Sequence, residues 1–129
     1  MRQKLTIQTG VEGFYDITRP VLEVVRASAV SDGSCLIYCP HTTAAITINE
    51  NADPDVIRDL LYGLQQAYPD RPQFRHSEGN SAAHLKASVI GSSVTVPIAN
   101  HGLLLGTWQG IYFCEFDGPR TRNYFVQIV

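Results

Sequence analysis

Alternation of apolar and polar side chains predicts strands along most of this chain. Leu5 and Ile7 stand between polar neighbours, which predicts a half-buried strand over residues 4–9. Residues 14–17 follow two glycines and are predicted to form the hairpin partner of that strand. Further apolar or alternating runs predict strands over residues 35–40, 44–49, 93–97, 103–105, 110–116 and 122–129.

The clearest helix is predicted over residues 54–68, where apolar side chains recur at helical spacing. Asp53 followed by Pro54 predicts its start, because aspartate caps free backbone N–H groups and proline fits the first turn. Residues 69–81 are rich in proline and charge, which predicts a long surface loop. Loops of this length inside a small domain are usually functional or mobile.

Two shorter helices complete the predicted elements. One is predicted to begin at Thr18, with the threonine oxygen as its N-cap, and to stop before Asp32. The other is predicted over residues 82–90, with Ser81 as its cap and Gly91 at its end. About seven strands interrupted irregularly by three helices indicate the α+β class with a mostly antiparallel sheet.

Composition narrows the function classes. The length of 129 residues fits one domain, and the net charge of -2 argues against a general electrostatic grip on nucleic acid. No apolar run approaches the ~20 residues of a membrane span. The N-terminus alternates like a strand and does not resemble a signal peptide. We expect a cytoplasmic protein whose cysteines, Cys35, Cys39 and Cys114, are reduced core residues, redox chemistry being the alternative.

Polar residues with chemical capability occur in three places, of which the first follows two predicted strands. His41 and Thr43 come after one strand, and Glu50, Asn51 and Asp53 join the next strand to the long helix. Strand ends and helix starts present side chains from a rigid base. The alternatives are a turn residue for His41, a solvated charge for Glu50 and a plain helix cap for Asp53.

The second place contains His76 and His84, with Asn80 between them. Their spacing is not a recognised local metal motif. A folded loop could nonetheless bring both to His41, and three neutral imidazoles with an open fourth position would suit a catalytic zinc site. The alternative is that each histidine is a hydrogen-bonded structural residue.

The third place combines Thr107, Trp108 and Gln109 with Arg120 and Arg122. The two arginines are two positions apart at a predicted strand start, so their guanidinium groups should share a face and suit a phosphate or carboxylate. The alternative is a pair of salt bridges with acidic residues across the hairpin, Glu115 or Asp117. We expect Trp108 to pack rather than to stack on a ring substrate.

Three long motifs resemble the YjbQ-like (UPF0047) family, whose members are often labelled secondary thiamine-phosphate synthase enzymes. They are HTTAAITINENADPDVIRDL (residues 41–60), AHLKASVIGSSVTVPI (residues 83–98) and GTWQGIYFCEFDGPRTR (residues 106–122). The resemblance covers nearly the whole chain, residues 1–30 least. It implies one domain over residues 1–129, with a barrel-like or sandwich core, that assembles as a homotrimer.

The resemblance also implies a site and a reaction. The reaction couples a hydroxymethylpyrimidine diphosphate to a thiazole phosphate with loss of pyrophosphate. The family's polar signature falls here on His41, Thr43, Glu50, Asn51, Asp53, His76, Asn80, His84, Thr107, Gln109, Arg120 and Arg122.

The leading hypothesis is therefore an enzyme acting on a phosphorylated small molecule. Glu50, Asp53 and His84 are the candidate catalytic residues. Substrate binding is assigned to Thr43, Asn51, Asn80, Thr107, Gln109, Arg120 and Arg122. A divalent metal, zinc or magnesium, is a candidate cofactor, with His41, His76 and His84 as its ligands. The alternatives are a metal-dependent hydrolase, in which Glu50 is the general base, and a non-catalytic trimer that binds a small anion.

Overall fold

A computed structural model describes residues 1–129 and contains eight strands and three helices. The strands are β1 (Arg2–Gln8), β2 (Gly13–Asp16), β3 (Gly33–Tyr38), β4 (Ala44–Glu50), β5 (Ser93–Ala99), β6 (Gly102–Leu103), β7 (Gln109–Glu115) and β8 (Thr121–Ile128). The helices are α1 (Thr18–Ser28), α2 (Pro54–Ala67) and α3 (Ser81–Ile90).

The strands form two antiparallel sheets, which together curl into a half-barrel. The larger sheet has the order β1-β8-β3-β5-β6, and the smaller has the order β2-β7-β4. The predicted α+β class and antiparallel pairing are confirmed. The predicted hairpin between the first two strands is wrong, because β2 pairs with β7. Phe14 on β2 packs near the rings of Tyr112 and Phe116, so aromatic burial favours the distant partner.

The main core lies between the two sheets and α1. Sixteen buried residues form it, and α1 contributes Val21, Val24 and Val25 from one face. A smaller cluster of six buried residues lies between α3 and the smaller sheet. In contrast, α2 has no buried residue at all. The sheets therefore provide the rigid base, and α2 lies on its outside.

The N-termini of the three helices show which of the predicted N-caps are correct. Asp53 caps α2 as predicted, since its Oδ1 accepts the N–H of Asp55 at 2.9 Å. The cap predicted at Thr18 is wrong, because Ile17 precedes α1 and makes no side-chain cap. The Thr18 hydroxyl instead accepts the N–H of Ile111 at 2.8 Å. The predicted Ser81 cap is also wrong, because Ser81 is already the first residue of α3.

The cysteines are core residues, as the sequence predicts. Cys35, Cys39 and Cys114 are all buried and free. Burial raises the pKa of the Cys35 thiol to about 11, and it raises the pKa of Cys39 and Cys114 as well. Thiols with raised pKa values are poor nucleophiles at neutral pH. None of the three helices is long and apolar enough to cross a membrane.

Candidate functional site

A polar cavity of about 420 Å³ opens where β4 begins and β7 ends. Every residue of its lining except Pro40 has a polar side chain: His41, Thr42, Thr43, His76, Glu78, Asn80, His84, Arg120 and Arg122. We call this cavity the imidazole pocket. A neighbouring cavity of about 440 Å³ continues along α3 and shares His41, Thr42 and His84 with it. Three segments that are distant in sequence therefore meet here.

His41 is held in place by the strand behind it. The backbone N–H of Asn123 donates to His41 Nε2 at 3.0 Å. Burial lowers the pKa of His41, and the nearby positive charge of Arg122 lowers it further. The ring is therefore neutral at pH 7, and the proton stands on Nδ1 because Nε2 uses its lone pair to accept.

His76 and His84 approach each other across the imidazole pocket. Their ring centroids are 5.4 Å apart in an edge-on arrangement. His76 lies on the segment before α3, whereas His84 projects from the first turn of α3. His76 Nε2 also lies 3.9 Å from Glu78 Oε2. A surface segment and a helix thus bring the two rings together, which the spacing alone did not establish.

The wall behind the pocket is a buried ion pair between Arg122 and Glu115. Arg122 donates from Nε and Nη2 to the two carboxylate oxygens, at 2.8 and 2.6 Å. Burial alone would raise the pKa of Glu115, but hydrogen bonds from Arg122, Thr9 and the Asp117 backbone hold it below its usual value. Arg122 Nη2 also donates to Thr43 Oγ1 at 2.8 Å. The salt-bridge alternative considered for Arg122 is confirmed.

A second ion pair lies at the rim of the pocket. Asp117 accepts from Arg120 Nη2 and from Asn80 Nδ2, both at 2.8 Å. The hydrogen bond from Asn80 and the charge of Arg120 lower the pKa of Asp117. Arg120 precedes β8, and about half of its side chain is exposed. The two arginines share the pocket as predicted, but each is also paired with an acid.

Arg122 and Asn80 each have one polar side-chain atom without a protein partner. All of the hydrogen bonds from Arg122 leave Nε and Nη2, so Nη1 donates to nothing, and it is not sealed from solvent. Asn80 Oδ1 is buried without a donor. Its orientation is fixed, because the Asn80 amide nitrogen must face the Asp117 carboxylate. Arg120 likewise donates only from Nε and Nη2, so each of the two arginines that line the pocket has one guanidinium nitrogen, Nη1, without a protein acceptor.

The arrangement does not match the predicted three-histidine zinc site. No three His, Cys, Asp or Glu side chains stand together closely enough to hold a metal ion. The only lone pair of neutral His41 already accepts the N–H of Asn123, so His41 cannot also ligate a metal in this conformation. His76 and His84 supply at most two ligands. The role of His41 here is that of a positioned N–H donor.

The other predicted site residues lie at the far end of β4 and β7. Glu50 pairs in register with Gln109, whereas Ala44, next to the imidazole pocket, pairs with Glu115. Strands rise about 3.3 Å per residue, so about 20 Å separates the two ends of β4. We call this second group, formed by Glu50, Asn51, Asp53, Thr107, Trp108 and Gln109, the distal tip. The twelve predicted site residues therefore form two clusters within one chain.

Hydrogen bonds connect the segments of the distal tip. The N–H of Asn51 donates to the carbonyl oxygen of Trp108 at 2.9 Å, and Gly106 N–H donates to Gln109 Oε1 at 2.8 Å. Glu50 Oε2 accepts the N–H of Asp53 at 3.1 Å. Trp108 is 62% exposed, so the expectation that it packs in the interior is wrong. Its loop lies beyond both cores, where no apolar layer covers it.

Sequence reasoning missed Thr9, whose hydroxyl donates to Glu115 Oε1 at 2.6 Å. Nothing in its local pattern marks it, because its role depends on the pairing of β1 with β8. Glu115 was considered only as a salt-bridge partner of the arginines. The sequence feature that could have identified its role is its position as the one acid in the otherwise apolar segment GIYFCEF. A carboxylate buried in such a strand needs a buried cation as its partner.

The half-barrel and its polar pocket define a small α+β domain with a cavity lined by polar side chains from three distant segments. Residues 3–129 match the family model described as UPF0047 protein YjbQ-like. The chain belongs to this family.

Relatives from distant organisms share both the sequence and the fold. The chain is 55% identical to the UPF0047 protein YugU of Bacillus subtilis, over 88% of this chain and 87% of that protein. It is 51% identical to the UPF0047 protein MJ1081 of Methanocaldococcus jannaschii, over 92% and 86%. A crystal structure of a YjbQ/UPF0047 family protein from Clostridium acetobutylicum is 54% identical, covers 98% of this chain and 99% of its own, and superimposes with a TM-score of 0.96. These names state a family and no reaction.

Proposed function

We propose that this protein is an enzyme that acts on a phosphorylated small molecule bound in the imidazole pocket. The observation that carries this proposal is the lining itself, which brings His41, His76, His84, Arg120 and Arg122 into one cavity. Guanidinium groups are suited to phosphate oxygens, and imidazoles exchange protons near neutral pH. Four other cavities of the molecule contain either histidine or arginine but not both.

The unpaired atoms suggest how the phosphate binds. Arg122 Nη1 would donate to one phosphate oxygen, and the half-exposed guanidinium of Arg120 would donate to another. His41 Nδ1–H would add a third donor from a ring that is already fixed. Fixed donors aimed at developing charge stabilise a departing anion without reorganisation.

Proton transfer in this scheme belongs to His84. The lone pair of His41 is occupied, so His41 is poorly suited to accept a proton from a ligand. His84 lines both adjoining cavities and makes no side-chain hydrogen bond within the chain, so its ring nitrogens can reach a ligand. We therefore assign the general acid–base step to His84 rather than to Glu50 or Asp53.

The finer proposal is the reaction suggested by the family resemblance. In it a carbon–nitrogen bond forms between the pyrimidine methylene and the thiazole nitrogen, while the carbon–oxygen bond to the diphosphate breaks and pyrophosphate leaves. Such a step needs positioning and charge neutralisation but no covalent nucleophile. Magnesium bound to the diphosphate would supply further positive charge. Cytoplasmic location and a homotrimeric assembly belong to the same proposal.

A ligand screen tests phosphate binding. We expect inorganic pyrophosphate to raise the melting temperature of the wild type, since a ligand at a hundred times its Kd adds about 2.7 kcal/mol of stability. Arg120→Met should lose most of that rise. His101→Ala, which changes an exposed histidine outside the pocket, is the matched control. If pyrophosphate, phosphate and phosphorylated metabolites all leave the wild-type melting temperature unchanged, with and without magnesium, the proposal fails.

A turnover assay separates the enzyme from a non-catalytic anion-binding protein. Release of pyrophosphate from the pyrimidine diphosphate and thiazole phosphate should fall about 100- to 10,000-fold in His84→Ala, because general acid–base catalysis contributes a factor of that order. The melting shift produced by pyrophosphate should stay largely intact in that variant. Binding of pyrophosphate without turnover of any phosphorylated compound would favour the anion-binding alternative.

Metal-dependent hydrolysis is retained as a second candidate because of the 5.4 Å approach of His76 and His84. Two imidazoles at this distance can close on one ion with a third ligand from the substrate. Elemental analysis of untagged protein should then show a stoichiometric transition metal. The metal should be lost in His84→Ala and kept in His101→Ala. Protein that binds pyrophosphate but contains no metal would exclude this candidate.

A further inference from the structure

The cavity that adjoins the imidazole pocket along α3 has a different chemical character. Its volume of about 440 Å³ is in the range of small-molecule sites. No arginine, lysine, aspartate or glutamate lines it. It shares His41, Thr42 and His84 with the imidazole pocket, and its other lining residues are Ala44, Ala87, Ser88, Gly91 and Ser92. We call this cavity the hydroxyl lobe.

One face of α3 forms a wall of the hydroxyl lobe. His84, Ala87 and Ser88 follow one another at helical spacing, and Gly91 continues that spacing just after the helix ends. Residues three and four apart lie on the same face of a helix, so all of them border one space. Ala44, at the start of β4, lines the same space from the sheet. The space stays open because these positions have small side chains.

The segment after α3 is held in place by backbone hydrogen bonds. The N–H of Ile46 donates to the Gly91 carbonyl oxygen at 3.1 Å, and the N–H of Cys39 donates to the Ser92 carbonyl oxygen at 2.8 Å. Gly91 has a φ of 99°, which residues with a side chain rarely adopt. The segment is therefore tied to β4 and to the end of β3. Ser92 is presented on a support that is ordered before any ligand binds, which lowers the entropic cost of binding.

Three hydroxyl groups of the hydroxyl lobe have no partner in the protein. Thr42, Ser88 and Ser92 are exposed residues, and their side chains make no hydrogen bond within the chain. Each hydroxyl can donate one hydrogen bond and accept two. The apolar side chains of the lobe are only the methyl groups of Ala44 and Ala87. The lobe therefore suits a neutral group with several hydrogen-bonding atoms better than a phosphate or a large apolar group.

We propose that the hydroxyl lobe binds the neutral organic part of a substrate whose phosphate occupies the imidazole pocket. This inference rests on the phosphate binding proposed above and adds the substrate class, a phosphate ester or diphosphate of a small group with several hydrogen-bonding atoms. The hydroxyls of a sugar and the amino and ring nitrogens of a pyrimidine both meet this description.

The two cavities also define where the phosphate and the organic group are joined. His41 and His84 line both cavities, so the linking bond lies beside these two rings. This is the position at which the general acid–base step assigned to His84 is needed. The arginines hold one end of the substrate, and the free hydroxyls select the other end.

Calorimetric titration tests this division of the site. Wild type is titrated with hydroxymethylpyrimidine diphosphate against inorganic pyrophosphate, and with ribose 5-phosphate against inorganic phosphate. We expect at least one organic compound to bind about 10-fold or more tightly than its inorganic counterpart, because each added hydrogen bond contributes a factor of about 5. The compound that has this advantage shows whether a pyrimidine or a sugar supplies the hydrogen-bonding atoms.

A matched pair of tryptophan substitutions on α3 then locates the organic group. Ser88→Trp fills the hydroxyl lobe, so the favoured compound should bind no more tightly than its inorganic counterpart, whose Kd should stay unchanged. Val89→Trp places the same ring at a neighbouring position that is 53% exposed and outside the cavity. It should change neither Kd. The double substitution Ser88→Ala and Ser92→Ala adds no volume and should remove most of the advantage, which keeps the test valid if the tryptophan disturbs the helix.

The outcomes separate this inference from the function on which it rests. If neither pyrophosphate nor phosphate binds to the wild type, the phosphate site and the hydroxyl lobe fail together. If these anions bind but neither organic compound binds more tightly, the phosphate site is retained and the hydroxyl lobe is rejected. Equal losses in Ser88→Trp and Val89→Trp, with no loss in the double alanine variant, also reject the hydroxyl lobe alone.

Discussion

At the scale of single residues, Arg122 performs two tasks through different nitrogen atoms. Nε and Nη2 fix the buried Glu115 carboxylate, and Nη1 remains available to the pocket. A buried carboxylate tolerates this position only because its cation is present and its other lone pairs accept from Thr9 and Asp117. The same ion pair thus supports the fold and orients the guanidinium group that we propose binds phosphate.

Removal of the Arg122 charge should destabilise the protein strongly. Arg122→Met leaves Glu115 buried and unpaired, and we expect the free energy of unfolding in urea to fall by about 3–5 kcal/mol. Arg120→Met breaks a half-exposed pair with Asp117 and should cost no more than about 1 kcal/mol. Equal losses in the two variants would contradict the burial that distinguishes these pairs.

Protonation of His41 should make stability depend on pH. Because the pKa of His41 is lowered in the folded state, the unfolded chain takes up this proton at higher pH. The stability contributed by neutral His41 is therefore complete above the unfolded pKa of about 6.5 and is lost as pH falls below it. Protonation also removes the acceptor for Asn123 N–H, so wild type should lose on the order of 1 kcal/mol more than His41→Gln between about pH 7.5 and pH 5.

The control for this comparison is His101→Asn, which changes an exposed histidine and should retain the wild-type pH profile. A His41→Gln protein whose stability depends on pH as steeply as that of the wild type would show that His41 is not the group responsible. The unfolding free energy is measured by urea titration at each pH.

Sequence alone identified most residues of the pocket but not the contacts that each of them makes. His41, His84 and the two arginines were predicted to share one site because the polar signature of the family falls on them, whereas their spacing alone gave only a weak signal. The engagement of His41 with Asn123 could not be predicted, since it depends on where β3 ends beside β8. The exposure of Trp108 was not predicted, because burial of an aromatic residue depends on whether another element packs over its loop. The local sequence does not show this.

At the scale of elements, the predictions that succeeded rest on local chemistry. Asp53 and Pro54 mark the start of α2, and helical spacing gives its length to within one residue. The pairing of β2 failed because strand partners are selected by long-range burial. The split of β3 and β4 between different sheets is likewise absent from their sequences, which are similarly apolar.

The same glycine-to-alanine substitution should change the free energy of unfolding in opposite directions at two positions. Gly63 lies within exposed α2 with nothing within 4 Å of a Cβ, so Gly63→Ala should add about 0.5–1 kcal/mol to the unfolding free energy. At Gly110 a Cβ would stand 2.9 Å from Asn51 Cβ, so Gly110→Ala should cost about 1–3 kcal/mol. Urea denaturation of both variants measures the difference. A stabilising Gly110→Ala would mean that the distal tip adjusts freely.

At the scale of the whole molecule, stability is distributed unevenly around the two sheets. Six of the seven residues of β7 are buried, and β7 lies in the centre of the smaller sheet. In contrast, α2 buries none of its residues. The molecule therefore combines a rigid interior with a peripheral helix next to the distal tip.

Amide hydrogen exchange should follow this distribution. We expect the amides of β7 and β8 to exchange slowest, through global unfolding, and those of α2 and residues 69–80 to exchange earlier through local opening. Peptide-resolved mass spectrometry under native conditions measures the order. Protection of α2 equal to that of β7 in a protein shown to be monomeric would contradict it.

The buried position of the Glu115–Arg122 pair gives salt a selective effect. Counterions screen charges that water can reach, and the Debye length falls from about 10 Å at 0.1 M to about 3 Å at 1 M. Arg122 and Glu115 lie out of their reach, with 5% and 0% of their side chains exposed. Concentrated chloride should therefore weaken the binding of a phosphate at the half-exposed Arg120 and leave the Glu115–Arg122 pair intact. High ionic strength should thus release a bound anion without destabilising the fold.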